Sequence, residues 1–353
     1  MQFKEFGKTG MSVSEVGFGG SRIGGVFANK HSGTEALNVL RKSLDCGINF
    51  YDTADMYSQG ESESLIGTAF RGRRQQVILA TKGGYCLPTQ RHLIKKIKPL
   101  LRPIVQALGL KRTRLPAAMS GALSQNFSPQ YLTKTLESSL KRLQTDYVDL
   151  YQLHSPRPPF LQSGAYGEAL ETLEKLKVQG KLRFYGVATE EAEDAPFCLS
   201  GPGISSVQLG FGLLDLDALT QGTLAAAEAR GLGIIARGCF AGGLLKDGPD
   251  EAQLKATTPK WQRVLALRTL SRSMNRSVLD IAYQFCRATP AVGVTLLGMR
   301  AESQLRENLR YVQAPRLTNA EYLALCNPPS NGGGKMNGPE SKVPPTIVIG
   351  KQE

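Results

Sequence analysis

Eight short apolar runs alternate along the chain with stretches of helical periodicity, and this order restricts the possible folds more than any other feature. Strands that alternate with helices pair in parallel, and continuously apolar strands are buried on both faces. Eight such units favour a closed (β/α)8 barrel, the TIM-barrel architecture, over an open sheet. The predicted strands are residues 15–20, 48–54, 76–82, 147–154, 182–189, 206–211, 233–240 and 292–298.

The segments between these runs show the period of amphipathic helices. In one of them, Leu136, Leu140 and Leu143 recur at three- and four-residue spacing, as expected for the apolar face of a helix. Before the first strand, residues 3–13 carry a Gly-Lys-Thr-Gly sequence between apolar residues, which predicts a β-hairpin that caps the barrel floor. Helices are predicted at residues 33–45, 129–142, 167–179, 218–230 and 277–288.

Two segments exceed this repeat. Residues 83–128 form a long insertion after the third predicted strand. From residue 328 the composition shifts to Pro and Gly clusters, which predicts a disordered C-terminal tail over residues 328–353. We therefore expect one barrel domain over residues 1–327, with the insertion projecting from it.

The net charge of +13 is concentrated in one part of the chain. Residues 64–136 contain 13 Lys and Arg and no Asp or Glu, so the remainder carries 30 basic and 30 acidic residues. Within the insertion, residues 91–114 are the most basic stretch. Two interpretations of it remain open: a lid whose charges are solvated, or a docking surface for an acidic protein or an anionic membrane surface. Nucleic acid is not expected, because no recognisable binding module accompanies the charge.

Other features of the composition predict a cytoplasmic protein. No apolar stretch approaches the length that crosses a bilayer, and the first residues lack a signal-peptide core. The six cysteines include no CxxC pair and the three histidines are scattered, so neither a disulfide framework nor a metal site is expected.

Four residues that can carry chemistry fall at or just after the ends of predicted strands, where barrel enzymes place their active sites. Asp52 lies near the end of the second predicted strand and Tyr57 in the loop after it, and Lys82 and His154 end the third and fourth. Each alone has an ordinary structural interpretation, such as a helix cap, a rim aromatic residue, a solvated lysine or a core histidine. Together they supply one carboxylate, one phenol, one ammonium and one imidazole.

That combination suits the reduction of a carbonyl group by hydride transfer. Such a reaction needs an acid to protonate the oxygen as negative charge develops on it. A phenol with a pKa of about 10 is a weak acid, but an adjacent ammonium lowers its pKa and a carboxylate holds the ammonium in place. An imidazole can orient the carbonyl from the other side of the site.

Three motifs around these residues resemble the aldo-keto reductase family. The sequence Asn-Phe-Tyr-Asp-Thr-Ala-Asp-Met-Tyr at 49–57, with Gly-Glu-Ser-Glu at 60–63, is similar to the signature around the family's catalytic Asp and Tyr. Ala-Thr-Lys at 80–82 resembles its lysine strand, and residues 146–154 resemble its histidine strand. The resemblance runs from residue 3 to about residue 312. It implies an oxidoreductase in which Tyr57 is the proton donor, Lys82 and Asp52 tune it, and His154 orients the carbonyl of a small-molecule substrate.

The resemblance also implies a site for NADPH. Residues 298–308 are similar to the family's nucleotide-binding segment, and a 2′-phosphate contact by Arg300 would favour NADPH over NADH. In contrast, the GxGxxA match at 231–236 precedes a strand, whereas a dinucleotide motif must follow one. Where the family usually has Ser before its carboxamide-binding Asn or Thr, this chain has Ala188. The expected cofactor-binding residues are Gln208, Arg237, Gly298, Arg300, Gln304 and Asn308.

Two other functions remain possible at this point. A nicotinamide-binding sensor or regulatory subunit would keep the barrel but turn over little substrate. A scaffold protein would use the basic insertion to dock an acidic partner and would not bind NADPH.

Overall fold

A hairpin at the start of the chain closes one end of the fold. The computed structural model describes residues 1–24, 32–86, 124–191, 194–246 and 258–328. Strands β1 (Phe3–Glu5) and β2 (Ser12–Ser14) pair antiparallel. Between them, Phe6 and Met11 are buried against Phe50 and Ile235 inside the barrel. The predicted hairpin at the barrel floor is therefore confirmed.

The next eight strands form a closed parallel barrel in which the last strand pairs with the first. This confirms the predicted TIM barrel, and each predicted strand overlaps an observed one. The barrel strands are β3 (Val16–Gly19), β4 (Phe50–Asp52), β5 (Ile78–Gly83), β6 (Val148–His154), β7 (Leu182–Ala188), β8 (Ser206–Gly210), β9 (Gly233–Arg237) and β10 (Val292–Gly298).

Side chains alternate between the inside of the barrel and the layer under the helices, as the two-residue period of a strand requires. Phe50, Ile78 and Leu150 face inward and pack together, whereas Tyr51 and Leu79 belong to the outer core. Towards the carboxyl ends of the strands the inward positions become polar, with Asp52, Lys82, Gln152, His154 and Gln208. The alternation therefore directs these five polar side chains towards the interior at the carboxyl end of the barrel.

Helices surround the barrel in the described residues. One prediction needs correction: residues 218–230 form two helices rather than one, because Gly222 takes a left-handed backbone (φ 78°) between them. The helices are α1 (Ser32–Asp45), α2 (Glu61–Ala69), α3 (Pro129–Leu143), α4 (Pro158–Leu161), α5 (Gly164–Val178), α6 (Ala195–Leu199), α7 (Asp217–Thr220), α8 (Thr223–Ala229), α9 (Thr258–Ser273), α10 (Val278–Ala288), α11 (Glu302–Gln313) and α12 (Asn319–Cys326).

The two ends of the predicted insertion meet beside the barrel. Gly83 still belongs to β5, and Tyr85 and Gln125 then form an antiparallel bridge. Residues 87–123, which include the basic stretch, and residues 329–353 of the predicted tail lie outside the described residues. Among the described helices, none combines the length and the apolar character that a membrane crossing requires.

Candidate active site

Asp52 and Lys82 form a buried ion pair at the carboxyl end of the barrel. Nζ of Lys82 lies 2.6 Å from Oδ1 of Asp52 and donates a second hydrogen bond, of 2.9 Å, to the carbonyl oxygen of Thr53. The side chains of Lys82 and Asp52 are only 1% and 3% exposed. Asp52 on β4 pairs with Ala80 on the neighbouring strand β5, and Lys82 lies two residues further along β5 on the same inward face.

Tyr57 lies beside this pair, at the start of a 3₁₀ turn (Tyr57–Gly60). Its ring centroid is 5.1 Å from Nζ of Lys82. The turn contains two residues with left-handed backbone, Ser58 (φ 49°) and Gln59 (φ 58°), and the Ser58 hydroxyl donates to the carbonyl oxygen of Ile23 (3.0 Å). Non-glycine residues rarely adopt this conformation unless surrounding contacts hold it. The turn is therefore a constrained support that places the Tyr57 ring next to Lys82.

His154 completes the group as the last residue of β6. Its imidazole packs edge-on against the ring of Tyr57, with centroids 5.7 Å apart, and edge-on against Tyr85, with centroids 4.9 Å apart. The fold thus brings together the carboxylate, ammonium, phenol and imidazole that the sequence placed at separate strand ends. A carbonyl compound held between Tyr57 and His154 would meet two hydrogen-bonding groups at its oxygen.

The ion pair keeps Lys82 charged. Burial is the largest single effect and lowers the pKa of the Lys82 ammonium, but Asp52 and Tyr57 together outweigh it, so that the pKa is raised. Burial raises the pKa of Asp52, and Lys82 and a hydrogen bond from Gln208 act in the opposite direction. At 2.6 Å the two charges stabilise each other, and Lys82 remains an ammonium at neutral pH.

The pKa of the Tyr57 phenol is raised, not lowered as the sequence led us to expect. Burial is the largest cause, and it outweighs the opposing effect of the Lys82 ammonium. Lys82 lowers the pKa of Tyr57, as predicted. The predicted net decrease of that pKa is wrong, because burial raises it more. As a result, Tyr57 keeps its proton at neutral pH and is present as a proton donor.

His154 is neutral at physiological pH. Burial lowers its pKa well below the ordinary value of 6.5, and the positive charges of Lys82 and Arg237 lower it further. Its Nδ1 is buried and has no hydrogen-bond partner among the described residues. A neutral imidazole presents one donor and one acceptor nitrogen, so His154 can orient a polar group without supplying a charge.

The strand β8 carries one of the predicted nicotinamide contacts. The Gln208 side chain hydrogen-bonds Asp52, while its Oε1 is buried and lacks a hydrogen-bond partner in the part of the chain that the structure describes. Buried polar atoms are nearly always satisfied by protein, water or a ligand. The orphaned oxygen next to Asp52 fits the amide N–H of a nicotinamide.

At the end of β7 the usual serine is absent, as the sequence showed. Ala188 has no hydroxyl, and the Thr189 hydroxyl is engaged in donating to the carbonyl oxygen of Gln208 (3.3 Å). Arg237 reaches across from β9 and donates to the carbonyl oxygens of Thr189 and Glu190. Gln208 is therefore better placed than Thr189 to hold a carboxamide.

The corner between β10 and α11 has the features of a phosphate site. No side chain caps the first turn of α11, so its backbone amides remain able to bind an anion. Arg300 is exposed beside them. Gln304 accepts a hydrogen bond from the Arg300 backbone amide (2.9 Å), and Asn308 is buried with no partner for Nδ2 among the described residues. Gln304 is thus engaged by the backbone here, whereas the Arg300 side chain is exposed and Nδ2 of Asn308 has no partner among the described residues.

Comparison with known proteins agrees with this geometry. The family model described as aldo/keto reductase family matches residues 15–325. The chain belongs to the aldo/keto reductase family. The GxGxxA sequence at 231–236 lies between α8 and β9, before a strand, and so is not a dinucleotide-binding motif in this reductase.

Similar proteins cover nearly the whole of this aldo/keto reductase. An uncharacterized oxidoreductase, YqkF of Bacillus subtilis, is 28% identical over 92% of this chain and 95% of its own. L-galactose dehydrogenase of Arabidopsis thaliana is 27% identical over 88% of each protein. The solved structure of aldo-keto reductase AKR11C1 from Bacillus halodurans in its holo form superposes with a TM-score of 0.72, at 28% identity, over 92% of this chain and 95% of that one.

Sequence reasoning missed two residues that contact His154, Tyr85 and Gln125. Tyr85 could have been noticed, because an aromatic residue three positions after Lys82 must lie just beyond a strand end. Gln125 offered no signal, because it is separated from Tyr85 by the whole basic insertion and only the antiparallel bridge brings the two together.

Proposed function

We propose that this protein is an NADPH-dependent carbonyl reductase that converts an aldehyde or ketone to an alcohol. The observation that carries the proposal is the buried Lys82–Asp52 ion pair set directly against the Tyr57 ring, with the His154 imidazole across from it. A buried ion pair alone would also suit a structural role, whereas the phenol set against it and the imidazole opposite are what proton transfer to a carbonyl oxygen requires.

In this mechanism the protein supplies the proton and the orientation. Tyr57 donates its phenolic proton to the carbonyl oxygen as negative charge develops there. Lys82, held charged by Asp52, stabilises the phenolate that remains on Tyr57. Neutral His154 hydrogen-bonds the same oxygen and fixes the plane of the carbonyl.

The cofactor would be held along the carboxyl ends of β8, β9 and β10. Gln208 would bind the carboxamide, Arg237 would lie against the nicotinamide or the pyrophosphate, and the corner at Gly298 would receive phosphate from the first turn of α11. Arg300 would bind the 2′-phosphate, and Asn308 would hydrogen-bond the adenine end. When bound, a nicotinamide cofactor supplies the hydride.

The substrate class and the cellular location are proposed from two other observations. The name of the L-galactose dehydrogenase relative makes sugar carbonyls the first compounds to assay. All six cysteines are free, which fits the reducing cytoplasm. We further propose that residues 1–327 act as a single barrel domain.

The test is NADPH oxidation, followed by absorbance, across a panel of aldehydes, ketones and sugar carbonyls, with NADPH binding measured separately. Turnover together with binding would support the reductase. Tight binding without turnover of any compound would favour the sensor, and a failure to bind NADPH would exclude both.

Replacing Arg300 with alanine should weaken NADPH binding about tenfold or more, since a charge-assisted hydrogen bond contributes about 1.5–3 kcal/mol. NADH binding should barely change, because NADH lacks the 2′-phosphate. The measurement is the Kd of each cofactor by titration. As a control, Arg310→Ala removes an exposed cation near the other end of the same helix and should leave the ratio of the two Kd values as it was. An unchanged ratio in Arg300→Ala would contradict the assignment.

We also propose that the basic stretch at 91–114 docks an acidic partner or an anionic surface. Neutralising Lys95, Lys96, Lys98 and Arg102 should weaken binding to immobilised poly-glutamate about tenfold, or ~1.4 kcal/mol, and flatten its salt dependence. The control variant neutralises four exposed cations elsewhere, Lys134, Lys141, Lys175 and Arg272. Equal weakening in both variants would show that only net charge matters and would remove the proposed docking surface.

A further inference from the structure

The backbone turns sharply just after His154. Ser155 adopts a left-handed conformation (φ 51°), which is unfavourable for a residue with a side chain. Its amide donates to the carbonyl oxygen of Ala188 on the neighbouring strand (2.7 Å). The orientation of the His154 ring therefore depends on the contacts that hold the backbone turn at Ser155.

The side chain of Gln125, which lies before α3 in the chain, contacts this turn. Its Nε2 donates to the carbonyl oxygens of both His154 (3.1 Å) and Ser155 (2.7 Å). These two carbonyl groups lie where β6 ends, so the amide of one glutamine satisfies both. The backbone of His154 is thereby tied to a residue 29 positions earlier.

Gln125 is itself fixed against the residues that follow β5. Tyr85 and Gln125 form an antiparallel bridge. On either side of it, the Cys86 amide donates to the Ser124 carbonyl (2.7 Å) and the Asn126 amide donates to the Gly84 carbonyl (2.7 Å). Residues 84–86 and 124–126 therefore form a short hydrogen-bonded ribbon, which holds the side-chain amide of Gln125 next to the backbone of His154 and Ser155.

The same ribbon also contacts the His154 ring. Tyr85 packs edge-on against the imidazole at 4.9 Å, and its carbonyl oxygen accepts a hydrogen bond from the Tyr131 hydroxyl on α3 (2.6 Å). Backbone and ring of His154 are thus restrained from one side by a single unit. Since Gln125 is only partly buried, its side chain is not required to fill the core.

We propose that Gln125 is a positioning residue for His154, and that its paired hydrogen bonds set the orientation of the imidazole towards the carbonyl substrate. The inference rests on the proposed function, because it assigns a role within that same site. Gln125 acts through His154 and not on the substrate. Replacing Gln125 should therefore lower kcat only in protein that retains His154.

Replacing Gln125 with alanine should lower kcat about tenfold, which corresponds to ~1.4 kcal/mol, with the Kd for NADPH unchanged. In a His154→Gln background the same replacement should cause no further loss, because interacting residues are non-additive. Gln125→Glu keeps the size of the side chain but replaces the donor and should behave like Gln125→Ala. The matched control is Gln130→Glu, which makes the same change at an exposed position nearby, in the first turn of α3.

The orientation of His154 can also be measured without turnover. In protein isotopically labelled at histidine nitrogen, the His154 ring signals are identified by their loss in His154→Gln. They should shift in Gln125→Ala and Gln125→Glu and stay in place in Gln130→Glu.

A shift together with a non-additive loss of kcat would support the positioning role. Unshifted ring signals in both Gln125 variants, or equal losses with and without His154, would overturn it. If the parent binds NADPH and reduces no carbonyl compound, the proposed function fails. The ring signals then decide the inference by themselves, a shift supporting it and no shift overturning it.

Discussion

Tyr57→Phe is expected to lower kcat/KM for carbonyl reduction by about a thousandfold, within the range typical of general acid catalysis. The substitution removes one hydroxyl and keeps the ring that packs against His154 and lies 5.1 Å from the Lys82 ammonium. NADPH binding should be retained, because the expected cofactor contacts lie on other strands. The measurement is the initial rate of NADPH oxidation, alongside a binding titration.

Tyr147→Phe provides the matched control. Its hydroxyl donates to Gln75 on the surface (3.3 Å), just before β6 begins and far from the carboxyl end of the barrel. The control should retain the parent's activity. Residual activity of Tyr57→Phe within about tenfold of the parent would assign the proton to another donor.

The same phenol should govern the pH dependence of reduction. Tyr57 must be protonated to act, and its pKa is raised above the ordinary value of 10.0, so activity should fall only as pH rises into the alkaline range. The pKa of His154 is lowered well below 6.5, so its protonation should not affect the rate near neutral pH. A loss of activity on going from pH about 8 to about 6 would show instead that His154 titrates there.

Lys82→Met is expected to lower both stability and activity. It leaves the Asp52 carboxylate buried without its partner, and breaking a buried pair in this way typically costs about 3–5 kcal/mol. Activity should fall about a hundredfold or more, because the ammonium that stabilises the Tyr57 phenolate is gone. Stability is measured by denaturant unfolding, and activity by NADPH oxidation at a temperature where the variant remains folded.

A double variant separates the two effects. Adding Asp52→Asn to Lys82→Met removes the unpaired charge and should recover most of the lost stability but none of the activity. The control is Arg287→Met, which breaks the buried Arg287–Glu15 pair (2.8 Å) located away from the site. It should lose stability and keep kcat. Activity that returned with stability in the double variant would contradict a chemical role for Lys82.

The sequence by itself was sufficient for the architecture. Eight apolar runs alternating with helical patterns have few solutions other than a closed parallel barrel, because buried strands need helices on their outer face. The same order placed Asp52, Lys82 and His154 at strand ends. Since parallel strands all end on one face, their convergence followed without knowledge of any distance.

Other properties depended on tertiary structure. The net direction of the Tyr57 pKa could not be predicted, because it is a balance between the Lys82 charge and burial, and the ring is packed by a residue as distant in sequence as His154. The break at Gly222 was overlooked because helical periodicity continues across it. Gln125 joined the site only through a bridge that closes across the basic insertion, and no local pattern encodes the register of such a bridge. Local periodicity thus determined the barrel and its chemical groups, whereas long-range packing decided their protonation and orientation.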